Sequence, residues 1–288
     1  MILVADSGST KTDWVLASDK QKPVKFSTGG LNPYFLSEKE IVKIIQDDAP
    51  VMVNHFPLIE EIYFFGAGCS SPDKREVISN ALTQLFPRAF VSVDSDLLGS
   101  AYATCGSHKG LVCVMGTGSN ISFFNGEEVS AGKHGLGYIL GDEGSGTWFG
   151  KALITQYLYG VMPAEVQAQF KEAYHLTKNE VITHVYFERR ANSYLASFAS
   201  FMSVIKDTEY GKNLLKKGLT DFIEINIKSY PEYQQHVCHF VGSIAYFFRE
   251  ELKALCQENG IAVGKIIRHP IDDLLHFIIS RNHIQVQE

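Results

Sequence analysis

Leu111-Val-Cys-Val-Met-Gly-Thr-Gly-Ser-Asn-Ile-Ser-Phe-Phe124 reads as a buried strand, a glycine turn and a second strand. The tip of such a hairpin can hold phosphate. Gly116 and Gly118 carry no side chains, so backbone N–H groups can point at an anion, and the Thr117 and Ser119 hydroxyls add donors. By itself the pattern also fits a plain hairpin turn. Its weight comes from a second copy, Ile2-Leu-Val-Ala-Asp-Ser-Gly-Ser-Thr-Lys-Thr-Asp-Trp-Val-Leu16. There Asp6 ends the first strand, and Gly8, Ser9, Thr10 and Lys11 make the turn. Two equivalent phosphate hairpins, one in each half, predict two related lobes facing one nucleotide.

Composition narrows the partner. The chain has 288 residues, 45% hydrophobic and 20% charged, enough for one large or two medium domains with a real core. A net charge of −6 and a pI near 5.9 argue against nucleic acid or an anionic membrane, both of which need clustered positive charge. A small-molecule partner is expected. Cys69, Cys105, Cys113, Cys238 and Cys256 form no C-x-x-C pair, which disfavours disulfides and metal clusters and suits a reducing cytoplasm. No apolar run is long enough for a signal peptide or a bilayer span.

Outward from the two hairpins, the pattern is mixed α/β. A strand near Val24 to Ser27 is followed by the loop Thr28-Gly-Gly-Leu-Asn-Pro-Tyr34, which contains Asn32. A helix from Ser37 to Gln46 carries a Ser37/Glu40 capping box. Strand Ile62 to Phe65, helix Pro72 to Leu85 and strand Phe90 to Val93 come next, and a helix starts at Leu97. A third strand, Glu128 to Ala131, is expected after the central hairpin. It leads to Gly132-Lys-His-Gly-Leu-Gly-Tyr-Ile-Leu-Gly-Asp-Glu-Gly-Ser-Gly146. A helical region from Trp148 to about Tyr230 precedes strand Val237 to Val241, helix Ile244 to Glu258, strand Lys265 to Arg268, and a closing helix with Pro270 at its first position. The second half thus repeats the first with a helical insertion, the hinge falling near Cys105 to Gly110.

Four places can carry chemistry. Asp6, at a strand end beside a Gly/Ser/Thr turn, suits a Mg²⁺ ligand acting through water, or simply forms the turn. Asp94 and Asp96 stand where a strand hands over to a helix, and one of them can serve as its cap. Gly141-Asp-Glu-Gly-Ser145 presents Asp142 and Glu143 in a glycine-bounded loop. Gly242 and Ser243 open a helix with small residues, which lets a nucleotide approach the backbone and equally serves close packing. The ten histidines show no metal-binding spacing, and Tyr246-Phe-Phe248 reads as core. A G-x-x-x-x-G-K-[ST] loop and a G-x-S-x-G elbow are both missing.

Taken together, Asp6-Ser-Gly-Ser-Thr10, Asp96-Leu-Leu-Gly-Ser100, Met115-Gly-Thr-Gly-Ser119, Gly135-Leu-Gly-Tyr-Ile-Leu-Gly-Asp-Glu-Gly-Ser145 and Val241-Gly-Ser243 resemble the sugar-kinase, Hsp70 and actin superfamily. Within it they resemble the N-acetylglucosamine kinase branch that shares a domain with BadF/BadG-type ATPases. The resemblance implies an α/β fold of two ribonuclease-H-like (actin-like ATPase) lobes with an interlobe ATP cleft. The first lobe would span 1–107 together with a helix over 270–288, and the second 108–269, with an insertion at about 157–235 that matches poorly. It implies ATP and Mg²⁺ as cofactors, the metal on Asp6, phosphates on Gly8 to Lys11 and Gly116 to Ser119, and nucleotide also at Gly242 and Ser243. It assigns sugar contacts to Asn32, Asp96, Gly135, Asp142 and Glu143, and makes Asp96 the general base. The implied reaction is phosphorylation of an amino sugar, N-acetylglucosamine or glucosamine, by a cytoplasmic enzyme for which a homodimer is one compatible assembly. Gly135-Leu136-Gly137 stands where the family has Gly-Trp-Gly, and the zinc segment of the related repressor/kinase group is missing. Two other readings stay open: an ATPase activating a partner dehydratase or reductase through bridging cysteines, and a non-catalytic nucleotide-binding protein.

Overall fold

The computed structural model describes residues 1–18, 21–50, 57–130, 135–231 and 233–284. Contacts divide the chain into two compact units. One comprises Met1–Val112, Phe124–Ser130 and the C-terminal stretch from His269; the other comprises Cys113–Phe123 and Ala131–Arg268.

The first unit is built on β1 (Ile2–Ser7), β2 (Lys11–Ser18) and β3 (Gln21–Gly29), followed by α1 (Glu38–Asp48), β4 (Glu61–Gly66), α2 (Pro72–Leu85), β5 (Phe90–Ser95) and α3 (Asp96–Cys105). Its sheet runs β3-β2-β1-β4-β5. β1 is antiparallel to β2 and parallel to β4, and β4 is parallel to β5. Leu3, Trp14, Phe64, Ile78 and Leu82 form its core, and the Trp14 and Phe26 rings stack at 5.8 Å. α1 begins with the expected box. The Ser37 hydroxyl accepts the Glu40 N–H, and the Glu40 carboxylate accepts the Ser37 N–H at 2.8 Å.

The second sheet runs β7-β6-β8-β9, from β6 (Gly110–Met115), β7 (Ser119–Phe124), β8 (Cys238–Val241) and β9 (Val263–Ile267). Between β7 and β8 the described residues include the helices α4 (Gly137–Leu140), α5 (Gly146–Tyr159), α6 (Ala164–Tyr174), α7 (Lys178–Tyr186), α8 (Ala191–Ser197), α9 (Met202–Ile205) and α10 (Glu209–Phe222). α10 runs on into a π-helical turn at Ile223–Ile227. Phe170 knits this segment, with its ring 6.1 Å or less from those of Tyr157, Tyr174, Phe198 and Phe201. α11 (Ser243–Phe247) and α12 (Arg249–Glu258) flank the sheet, and α13 (Ile271–Ile284) closes the chain against α3, β1 and β2.

Four expectations need correction. The strand at Glu128 to Ala131 reduces to a single bridge, Phe124 to Val129, because the Asn125 side chain takes the N–H groups of Glu127 and Glu128, both at 2.8 Å. Ala131 to His134 lie outside the described residues. The helix expected over Ile244 to Glu258 breaks at Phe248 (φ −109°, ψ 31°), which turns that ring into the core. Tyr246 and Phe247 are exposed under Arg249 and Arg268, so only Phe248 of that aromatic run is core. Pro270 precedes α13 rather than starting it, since its carbonyl accepts the Leu274 N–H at 2.8 Å.

Candidate active site

In the first unit, the β1–β2 turn is held from outside by the loop after β3. Gly30 donates its N–H to the Thr10 carbonyl at 3.0 Å, and a Cβ at Gly30 would lie 2.4 Å from the Ser9 carbonyl carbon, so only glycine fits. Asn32 is buried: its Nδ2 donates to Ser9 Oγ at 3.1 Å, and its Oδ1 accepts the Tyr34 N–H at 2.9 Å. Asn32 therefore fastens its own loop to the glycine turn. Lys11 pairs with Asp13 at 2.6 Å, and His269 reaches the other oxygen of Asp13 at 3.5 Å.

Asp6 is the next-to-last residue of β1, with Asp13 as its cross-strand partner and Phe65 as its parallel neighbour. Asp96 is the first residue of α3, next to the end of β5. The cap of α3 is Ser95, whose hydroxyl accepts the Leu98 N–H, so neither aspartate is needed for that task. Asp96 accepts the Leu97 N–H at 3.0 Å, and Asp94 lies 3.4 Å from Arg75. Burial raises the Asp6 carboxyl from 3.8 to about 7, with the charges of Asp96 and Asp13 adding to the effect. Burial also raises Asp96, to about 6, against the opposing pull of the Leu97 and Asp96 N–H groups. Two carboxyls whose ionisation burial disfavours thus lie close to the first glycine turn.

In the second unit, the Gly116–Gly118 turn is knit to the start of α5. The Gly116 and Thr117 carbonyls accept the N–H groups of Gly146 and Thr147 at 2.8 and 2.9 Å, and the Ser119 hydroxyl donates to the Glu143 carbonyl at 2.8 Å. The Ser119 hydroxyl, expected as a phosphate donor, is thus engaged by the acidic loop. Gly116 faces open space. Asp142 takes a left-handed backbone (φ 60°) and carries its carboxylate onto the turn, where Ser119 N–H donates to it. Burial raises its pKa, partly offset by that bond and by the Lys151 ammonium. Burial lowers the pKa of Lys151, and its ammonium donates to the Tyr138 carbonyl. The Glu143 carboxylate accepts from Asn226 at 3.3 Å. Gly135 (φ 86°) abuts the Asn120 side chain. Gly242 (φ 122°) lies on the turn itself, where a Cβ would come 2.4 Å from the Met115 carbonyl oxygen, so close packing alone requires this glycine. Ser243 follows at the start of α11.

No family model and no curated protein matches the chain. Among solved structures, a putative N-acetylglucosamine kinase from Porphyromonas gingivalis is 36% identical, with a TM-score of 0.90, over 96% of this chain and 98% of that one. The chain belongs to this N-acetylglucosamine-kinase-like family of sugar kinases. A putative N-acetylglucosamine kinase from Chromobacterium violaceum shares the fold at 17% identity and a TM-score of 0.72, over 96% and 98% of the two chains. A ROK family glucokinase from Streptomyces griseus, in complex with glucose and AMPPNP, shares it at 12% identity and 0.55, over 95% and 97%.

Three residues of this sugar kinase were missed in the sequence: Gly30, Lys151 and Asn226. Gly30 stands in a Gly-Gly pair whose first member, Gly29, would meet only ordinary contacts, so composition does not single it out. Lys151 sits one helical turn beyond the acidic loop. Asn226 reaches Glu143 only because the π-helical turn aims it inward, a geometry with no local signature.

Proposed function

We propose that this kinase transfers the γ-phosphoryl group of MgATP to a hydroxyl of an amino sugar, N-acetylglucosamine or a close analogue. The observation that carries the reading is Asp96, a carboxyl at a strand-to-helix junction whose pKa of about 6 is matched to proton transfer near neutrality. The 36% identical relative supports the sugar class, and the fold neighbour with AMPPNP supports the nucleotide. Asp96 would orient the sugar hydroxyl and accept its proton late in a loose transition state. Taken unit by unit, Asn32 in the first and Gly135, Asp142 and Glu143 in the second are the further groups proposed to contact sugar hydroxyls.

Asp6 fits a hard cation, since burial and the charges of Asp96 and Asp13 raise its carboxyl and a divalent charge would relieve both effects. Among the described residues no group of three or more His, Cys, Asp or Glu side chains forms a metal cage. That suits Mg²⁺, which one or two carboxylates and substrate phosphates can hold. When bound, Mg²⁺ would neutralise charge on the transferring phosphates. Taken separately, the turn near Gly8 in the first unit and the turn near Gly116 in the second each suit a phosphate group. Against the dehydratase-activator reading, all five cysteines are buried and none is placed to share a cluster at a surface.

An ADP-release assay over a panel of hexoses and hexosamines tests the proposal. N-acetylglucosamine or glucosamine should give the highest kcat/KM. Turnover confined to neutral hexoses, or none with any sugar, would refute it.

A further inference from the structure

The Asp142 carboxylate lies directly on the second glycine turn. A Cβ built at Gly118 would meet Asp142 Oδ2 at 2.8 Å and both remaining carboxylate atoms, Cγ and Oδ1, at 3.2 Å. The Ser119 N–H donates to this carboxylate, and the Thr147 hydroxyl approaches Oδ2 at 3.4 Å. Thr147 is itself fixed, with its hydroxyl 2.8 Å from Ser145 Oγ and its N–H on the Thr117 carbonyl. The conformation is imposed by the loop: Asp142 is held at φ 60°, a region that side-chain-bearing residues seldom enter, between Gly141 and the left-handed Gly144.

A turn that offers N–H donors to an anion does not distinguish strongly between a carboxylate and a phosphate oxygen pair. We infer that Asp142 is the internal anion of the Gly116–Ser119 turn, standing where a nucleotide phosphate would bind, and that a sugar hydroxyl drawing Asp142 away opens the turn to nucleotide. The sugar half of this inference rests on the kinase reading above. Two like charges compete for the Ser119 N–H, so nucleotide binds at the expense of the Asp142 contact. A sugar that engages Asp142 removes the competitor. Sugar and nucleotide should then bind synergistically and, because coupling is reciprocal, each should tighten the other. The consequence is a kinase that holds ATP poorly until an acceptor is present, which limits loss of the γ-phosphoryl group to water.

The test is calorimetry with AMPPNP and Mg²⁺, with and without N-acetylglucosamine, on the wild type, Asp142→Ala and Asp142→Asn. The wild type should bind AMPPNP more tightly in the presence of sugar, within the roughly 5–150-fold range typical of coupled sites. Without sugar, Asp142→Ala should bind AMPPNP about tenfold more tightly than the wild type and gain nothing further from sugar; Asp142→Asn, which keeps the shape and loses the charge, should fall between. A folded Asp142→Ala with unchanged or weaker AMPPNP affinity overturns the inference. Should that variant not fold, a wild-type affinity indifferent to sugar overturns it equally. Tightening in Asp142→Ala when no sugar of the panel is phosphorylated would sustain the assignment of the turn while refuting the proposed substrate.

Discussion

Asp6→Asn should make this protein more stable while destroying its activity, and the gain should depend on pH in a defined sense. The Asp6 carboxyl titrates near 7 in the folded chain, against 3.8 for the ordinary group. A raised acid pKa means that the folded state holds a proton the unfolded state releases. Below about pH 4 both states are protonated and nothing is lost. As pH climbs from 4 to 7 the unfolded state ionises freely, and stability falls; above about 7 the full cost is present. At about 1.4 kcal/mol per pH unit the interval amounts to about 4 kcal/mol. The group keeps a partial opening to solvent, so screening should reduce this to about 2 kcal/mol. Asparagine has the same shape and no charge to ionise. In urea titrations followed by circular dichroism, with EDTA and no substrate, Asp6→Asn should exceed the wild type by about 2 kcal/mol at pH 8, with the gap closing towards pH 4. The matching rise in melting temperature is roughly 4–8 °C. Turnover should fall by at least about a hundredfold, in line with the loss of a group that stabilises a charged transition state. A variant no more stable than the wild type at pH 8, or an advantage unchanged at pH 4, would refute the placement of an ionised carboxylate in a desolvated position.

The two remaining substitution pairs separate close alternatives. Asp96→Asn should lower kcat by roughly 10²–10⁴-fold with little change in ligand affinity, whereas Asp94→Asn, which weakens the surface pair with Arg75 and keeps an amide oxygen to accept the Ser95 N–H, should change kcat by less than about threefold and stability by about 0–1 kcal/mol. Steady-state kinetics in which Asp94→Asn alone is inactive would reverse the assignment. Gly30→Ala should cost about 1–3 kcal/mol in thermal melts, because its Cβ would drive into the Ser9 backbone. Gly8→Ala, whose nearest contact is 3.5 Å away, should be close to neutral, and equal losses from the two would contradict the packing described.

What was legible in the sequence is whatever the chain writes locally. The two glycine turns announce themselves through the absence of side chains between apolar strands, and the Ser37/Glu40 box of α1 spaces its own partners. The third strand after Phe124 was misread because Glu128 to Ala131 alternates like a strand while Asn125, three residues earlier, takes the donors that pairing would use. Resemblance marked Asp142 as a sugar ligand but could not give its direction, which depends on a left-handed backbone and on α5 being bonded back to the Gly116 and Thr117 carbonyls. Glu143 and Asn226 lie further still from any local signal, 83 residues apart and joined through a π-helical turn. The same contrast bears on the chemistry. Residues that touch phosphate through the backbone are constrained by backbone geometry, so glycines betray them. Residues that govern when the turn becomes available, as Asp142 does on Gly118, act through a side chain carried in from a distant loop, and its destination is decided only when that loop is folded. A glycine at 118 would then serve two purposes, since the missing Cβ that admits the Asp142 carboxylate would equally admit a phosphate, and its sequence signature is the same for both.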